Sequence, residues 1–171
     1  SYHGNTQGAM SVSGVEKQNQ VFRPLLPGIK FIEFNNAHDL SKITTKTAAV
    51  ILETIQGGAG FIAPTNNYLS KVEQRCKEVG ALLILDEIQT GVGRTGTFWG
   101  FENYGVTPDI IITGKGLGGG MPIGAFIASF DHMQLLKENP TLDHISTFAG
   151  HPVIAAAGLA TVKEIITKDL M

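Results

Sequence analysis

The chain has 171 residues, enough for one domain with a sizeable apolar core, and its 43% hydrophobic and 16% charged residues exclude an extended disordered chain. A net charge of −2 without any Lys/Arg block gives no electrostatic footprint for nucleic acid or an anionic membrane, so neither is expected as a partner. The single cysteine, Cys76, can form neither an internal disulfide nor a cysteine cluster for a metal; it reads as a buried free thiol and fits a reducing compartment, the cytoplasm. No apolar stretch approaches a bilayer span, and Ser1-Tyr2-His3-Gly4 lacks the basic and apolar regions of a signal peptide. The start without a Met and the end at Lys168-Asp169-Leu170-Met171, inside a helical pattern, are expected of a piece of a longer protein.

In chain order, apolar runs of strand type alternate with helical patterns, without internal repeat or low-complexity linker, and this predicts an α/β sheet. Residues 29–34 and 48–53 read as strands, both central or nearly so, each bounded by turn residues. After Gln56-Gly57-Gly58-Ala59-Gly60, the spacing of Leu69, Val72, Cys76 and Val79 predicts a helix over 67–79, closed by Gly80. Ala81-Leu82-Leu83-Ile84-Leu85 is a continuous apolar run stopping at Asp86-Glu87, the pattern of a buried parallel strand with acids at its carboxyl end. Residues 109–113 repeat that design and stop at Gly114-Lys115-Gly116, and residues 123–129 form a further strand. Over 152–167, Ile154, Ala157, Leu159, Val162, Ile165 and Ile166 predict a helix whose apolar face packs on the sheet, with Pro152 in its first turn.

Ligands of open α/β sheets bind outside the carboxyl ends of the strands, so Glu53, Asp86 and Lys115 are expected at one crevice if their strands are parallel neighbours. A lysine amine forms an imine with a carbonyl, and a carboxylate that keeps a pyridine nitrogen protonated turns the ring into an electron sink, which suits pyridoxal 5′-phosphate (PLP). An acid and a lysine at strand ends are equally met as exposed charges or a structural ion pair, Asp86 with Arg94 for example. The histidines, His3, His38, His132, His144 and His151, show no ligand spacing, and no metal is expected. The run Gly114 to Gly120 lacks the order of a P-loop or a dinucleotide fingerprint, which leaves little for a non-catalytic nucleotide-binding or assembly module.

Residues 83–96, Leu-Ile-Leu-Asp-Glu-Ile-Gln-Thr-Gly-Val-Gly-Arg-Thr-Gly, and 108–120, Pro-Asp-Ile-Ile-Ile-Thr-Gly-Lys-Gly-Leu-Gly-Gly-Gly, resemble the signature of class III aminotransferases, the ornithine, acetylornithine and omega-amino-acid family. The blocks stand in the family's order with Asp86 and Lys115 separated by 29 positions, and the likeness continues through His3-Gly4, Glu53, Gln56-Gly57 and Thr147-Phe148. The resemblance implies a fold-type-I PLP-dependent transferase large domain, with a mostly parallel central sheet and helices on both faces. Residues 1–171 would form its central part, without the N-terminal segment and the C-terminal small domain. It implies amino-group transfer from an amino acid, one with a terminal or omega amine such as an ornithine-like or 4-aminobutyrate-like donor, to a 2-keto acid. An aminomutase or decarboxylase on the same framework is the alternative, since the Lys-Asp pair fixes only the electron sink.

By the same resemblance, Lys115 carries the Schiff base and then acts as the base that moves the substrate proton, with Gly114 and Gly116 letting the backbone approach the ligand. Asp86 bonds the pyridine nitrogen. Gln89 lies near the cofactor's phenolic oxygen, or is an exposed helix glutamine. Tyr2 stacks on the pyridine ring or belongs to the core, and His3 is a cofactor neighbour or merely orients the loop. Glu53 joins the carboxylate network or positions loops, and Thr147 reaches the PLP phosphate of the partner subunit in a homodimer or is a turn hydroxyl. Two positions depart from the family: Asn5 stands where many members have Arg, and Gly58 replaces the acid that pairs with a substrate-gating arginine. That arginine and the phosphate-binding loop fall outside the 171 residues, so the isolated chain is expected to be inactive or nearly so.

Overall fold

A computed structural model describes residues 1–138 and 145–171; His144 lies outside the described residues. The chain divides into two compact units, Ser1–Asp86 with Phe101–Pro108, and Glu87–Gly100 with Asp109–Met171.

In the first unit, α1 (Gln7–Val12) and α2 (Glu16–Asn19) precede β1 (Ala49–Glu53), α3 (Tyr68–Val79) and β2 (Leu82–Asp86). The two strands are parallel, in a register running from Ala49 beside Leu82 to Glu53 beside Asp86. A parallel pair needs a long connection, and α3 supplies it. Its apolar spacing makes one stripe of Leu69, Val72 and Cys76, all buried, which packs on β2 and on the 3₁₀ helix Ala37–Lys42. Gly80 closes the helix, its N–H donating to the Cys76 carbonyl. Arg75 fixes the incoming chain by donating from Nε and Nη2 to the Ile43 carbonyl at 3.0 and 2.8 Å.

Residues 29–34, expected as a strand, form none. The Glu33 N–H goes to the Asp39 side chain at 2.9 Å instead of to a ladder, and Phe31 is 55% exposed. The run is largely apolar, yet the Glu33 N–H and carbonyl are taken by side chains and a turn, where a sheet position would require them for the ladder.

In the second unit, β3 (Ile110–Gly114) and β4 (Gly124–Ala128) pair antiparallel, from Ile110 beside Ala128 to Gly114 beside Gly124. The nine residues between them are too few for a parallel crossover, which needs a dozen or more. They hold the 3₁₀ turn Lys115–Gly118, and α4 (Phe130–Glu138) and α5 (Pro152–Thr167) follow β4. The helix α5 begins at Pro152 as expected, but packs chiefly on that 3₁₀ turn, and Leu159 and Ile166 are exposed rather than on the covered face. The reason is steric. A Cβ at Gly158 would lie 3.4 Å from the Leu117 carbonyl, and one at Gly119 only 2.2 Å from Thr161 Oγ1, so the helix meets the turn along Ala157, Gly158 and Thr161. Gly119 also has φ +56, which a side chain tolerates poorly.

Tyr68 at the start of α3 is 2% exposed, and its hydroxyl donates to the Glu33 carbonyl at 3.3 Å. Burial, aided by the negative Asp39, pushes the phenol up to about 12, while Lys42 and the Glu33 N–H hold the Asp39 carboxyl below its usual range. A raised folded-state value means that the folded protein holds the proton more tightly, so this contribution is complete below pH 10 and is lost as pH rises from 10 to about 12. Denaturant unfolding across that window is expected to show a steeper alkaline loss of stability for the native sequence than for Tyr68→Phe.

Candidate functional site

The parallel register sets Glu53 and Asp86 side by side at the carboxyl ends of β1 and β2. Both are buried, an expensive placement for carboxyl groups without hydrogen-bond partners. One dipeptide supplies a partner to each. The Tyr2 N–H donates to Glu53 Oε1 at 2.9 Å, and His3 Nδ1 donates to Asp86 Oδ2 at 2.8 Å. Glu53 Oε2 accepts the Gly57 N–H at 2.9 Å, so its two oxygens tie the Tyr2 segment to the loop after β1. That loop closes on itself through reciprocal backbone hydrogen bonds of 3.0 Å between Gln56 and Ile62. The His3 N–H is held in turn by Ser13 Oγ at 2.9 Å.

The three residues are thereby distinguished. Glu53 is a clamp on two backbones. His3 bonds Asp86, with side chains 2% and 5% exposed respectively. His3 Nε2 is buried with no hydrogen-bond partner among the described residues. Tyr2 is 47% exposed, so it is no core tyrosine: its backbone is fixed while its ring offers an open flat surface. A Cβ at Gly58 would meet only Tyr2 Cβ, at 3.8 Å, which leaves ordinary room where the family departure occurs.

In the second unit Lys115 directly follows β3 with φ +41, a left-handed conformation unusual for a lysine and of the kind met where a side chain must be aimed. Its Nζ donates to Gln89 Oε1 at 3.1 Å, and it makes no ion pair among the described residues, which removes the salt-bridge reading of this lysine. Gln89 is exposed, as one reading expected, but it sits in the turn region after Glu87 rather than on a helix, and it meets the lysine amine. At Gly114 a Cβ would lie 2.9 Å from the Ile123 carbonyl, so the crossing chain also requires a glycine at this position. Thr147 is exposed in the turn before α5, outside any helix.

Sequence reasoning did not single out Glu87. Its side chain is 0% exposed, and its Oε2 accepts the Gly100 N–H at 2.7 Å. The available signal was a charged residue following a wholly apolar strand with several glycines close behind it, which leaves room for an acid to fold inward.

The sequence matches the family described as Aminotransferase class-III over residues 1–171. The chain belongs to the class-III aminotransferases. Among curated relatives it is 48% identical over 177 residues to the putrescine aminotransferase of Pectobacterium atrosepticum, covering 99% of this chain and 38% of that protein. It is 45% identical over 172 residues to the acetylornithine aminotransferase of Oceanobacillus iheyensis, covering 100% and 42%. Of solved structures, the ornithine aminotransferase of Toxoplasma gondii superposes with a TM-score of 0.91 at 34% identity, over 99% of this chain and 40% of that one. A thermostable (S)-enantioselective omega-transaminase from Thermomicrobium roseum gives 0.91 at 30% identity, over 99% and 43%. The class-III chain thus spans about two fifths of these relatives' length. The fold is the fold-type-I one of PLP-dependent aminotransferases, a mostly parallel open sheet with helices, with the β3–β4 pair antiparallel.

Replacing His3 by Phe removes one hydrogen bond from the buried Asp86, an expected cost of about 1–3 kcal/mol in urea unfolding. His3→Asn, which retains a donor, is expected to lose less.

Proposed function

We propose that the protein is a PLP-dependent aminotransferase that moves an amino group from a donor with a terminal amine, an omega-amino acid or ornithine-like compound, to a 2-keto acid. The observation that carries this reading is Lys115: a lysine at a strand end, in left-handed conformation, its amine directed to an amide rather than to a carboxylate, within a class-III sequence. The names of the relatives, putrescine, acetylornithine and ornithine aminotransferases, support a donor of this kind.

The residues fit the group. Asp86 is a buried carboxyl on which His3 already fixes one oxygen, as needed to accept a proton-bearing ring nitrogen in a defined direction. Tyr2, its backbone held by Glu53, has a half-exposed ring that would serve one face of a planar cofactor. PLP, when bound, supplies an aldehyde that condenses with amines and a ring that withdraws the electron pair of the broken bond.

The chain's own residues do the rest. Lys115 would hold the cofactor through its Nζ, and the same amine, once freed by the donor, would serve as the base that moves the substrate proton. Gln89, which meets the lysine amine, would offer its amide to the phenolic oxygen, and Glu53 keeps the Tyr2 segment and the Gly57 loop in place. Thr147, exposed in its turn, is available to the phosphate of a second subunit's cofactor in a homodimer. Gly58 in place of the acid speaks against the paired acid and arginine of the ornithine and 4-aminobutyrate enzymes, and favours donors that need no such gate.

The test is product analysis with the full-length protein, PLP, a panel of terminal amines and 2-oxoglutarate or pyruvate. One amino acid formed from the keto acid per donor consumed is the expected result, with Lys115→Ala lowering turnover by about 10²–10⁴-fold or more. Carbon dioxide or a rearranged amino acid as the sole product contradicts the proposal.

A further inference from the structure

We propose that Glu87 is a positioning residue that sets the place of Gln89 against Lys115. The inference rests on the proposed function only for what Gln89 and Lys115 then do. Three groups of Glu87 are committed within its own unit. Its N–H donates to the Ile112 carbonyl of β3 at 2.8 Å, its carbonyl accepts the Gly91 N–H at 2.9 Å, and its Oε2 accepts the Gly100 N–H at 2.7 Å. The segment 87–100 is therefore held at its start by β3, at Gly91 by the Glu87 backbone and at its end by the Glu87 side chain. Gln89 stands in the middle of the first span, two residues from each of its fixed ends.

The fit around this carboxyl is tight. A Cβ at Gly91 would lie 2.8 Å from the Glu87 carbonyl and 2.9 Å from the Trp99 ring. One at Gly100 would lie 2.9 Å from Thr90 Cβ and 3.2 and 3.3 Å from the two carboxyl oxygens of Glu87. Within the segment, the Gly93 N–H reaches the Phe98 carbonyl at 3.2 Å and Thr97 Oγ1 donates to the Trp99 carbonyl at 2.6 Å. An apolar side chain could fill the same space at less cost of burial. What it could not do is accept backbone N–H groups, and that capacity joins the end of the segment to the residue that starts it. With the segment closed, Gln89 Oε1 lies 3.1 Å from Lys115 Nζ; with Glu87 unable to accept, the segment loses the hydrogen bond that ties its Gly100 end to its start, and the amide shifts from this position.

The experiment is a double-mutant cycle in the full-length protein with Glu87→Leu, Gln89→Ala and the pair. Two readouts are taken: the rate of reductive methylation of Lys115 in the PLP-free protein, by peptide mass, and the dissociation constant of PLP with the pH midpoint of its absorption. Each single variant is expected to change both readouts in the same direction by about two- to tenfold, as loss of one hydrogen bond does. The pair is expected to stay within about twofold of the larger single effect, because independent sites would multiply. Glu87→Gln, which keeps an accepting oxygen, is expected to restore most of the change.

Multiplicative effects, or a Glu87→Leu protein whose Lys115 labels like the native one, overturn the proposal. If Glu87→Leu does not fold, Gly100→Ala, which disturbs the same hydrogen bond from its other end, takes its place in the cycle and is read in the same way. A coupled methylation rate in a protein that never takes up PLP would uphold the positioning role and refute the proposed function instead, so the two failures are distinct.

Discussion

Two carboxyl groups buried side by side are the constraint on which the first unit depends. The parallel register of β1 and β2 brings Glu53 level with Asp86, and neither could remain there unbonded. The Tyr2-His3 dipeptide satisfies both through a backbone N–H and a ring nitrogen. Ser13 holds the dipeptide in turn, and Gly57 takes the second oxygen of Glu53. A segment about fifty residues before β1 in the chain is thus placed by the need to satisfy two acids at strand ends, and the exposed Tyr2 ring follows from that placement.

A similar economy governs the second unit. Its short β3–β4 connection cannot hold a crossover helix, so the chain turns back through a 3₁₀ turn that begins with Lys115 and is backed by α5. The backing requires close approach, which Gly158 and Gly119 allow and larger residues would block. Lys115 is held in a strained backbone conformation by a turn that is packed from behind, and its amine reaches Gln89 on a segment that Glu87 closes. Strain at the lysine and burial of the acid are both costs, and both are borne by residues adjoining the proposed chemistry.

Much of this was legible in the amino-acid order. The apolar runs before Asp86 and Lys115 and the 3.6-residue stripe of α3 are strong periodic signals, and they place strand ends and helix within a residue or so of the structure. Residues 29–34 misled because a short apolar run is strand-like whatever its surroundings, and only the tertiary structure shows that Asp39 takes the Glu33 N–H. The covered face of α5 was misassigned because Gly158 and Thr161 form its contact and count as nothing in an apolar pattern. The two site histories are similar. His3 was an ordinary polar neighbour in sequence, since its partner lies 83 positions away, and Glu87 was hidden by the more conspicuous Asp86 beside it.

The central claim is that Lys115 is the residue that bonds the cofactor. Treating the full-length, PLP-loaded protein with borohydride and mapping its peptides by mass tests this most directly. The account predicts a phosphopyridoxyl group on Lys115. A folded protein that binds PLP and is labelled on a different lysine, or on none, would contradict it.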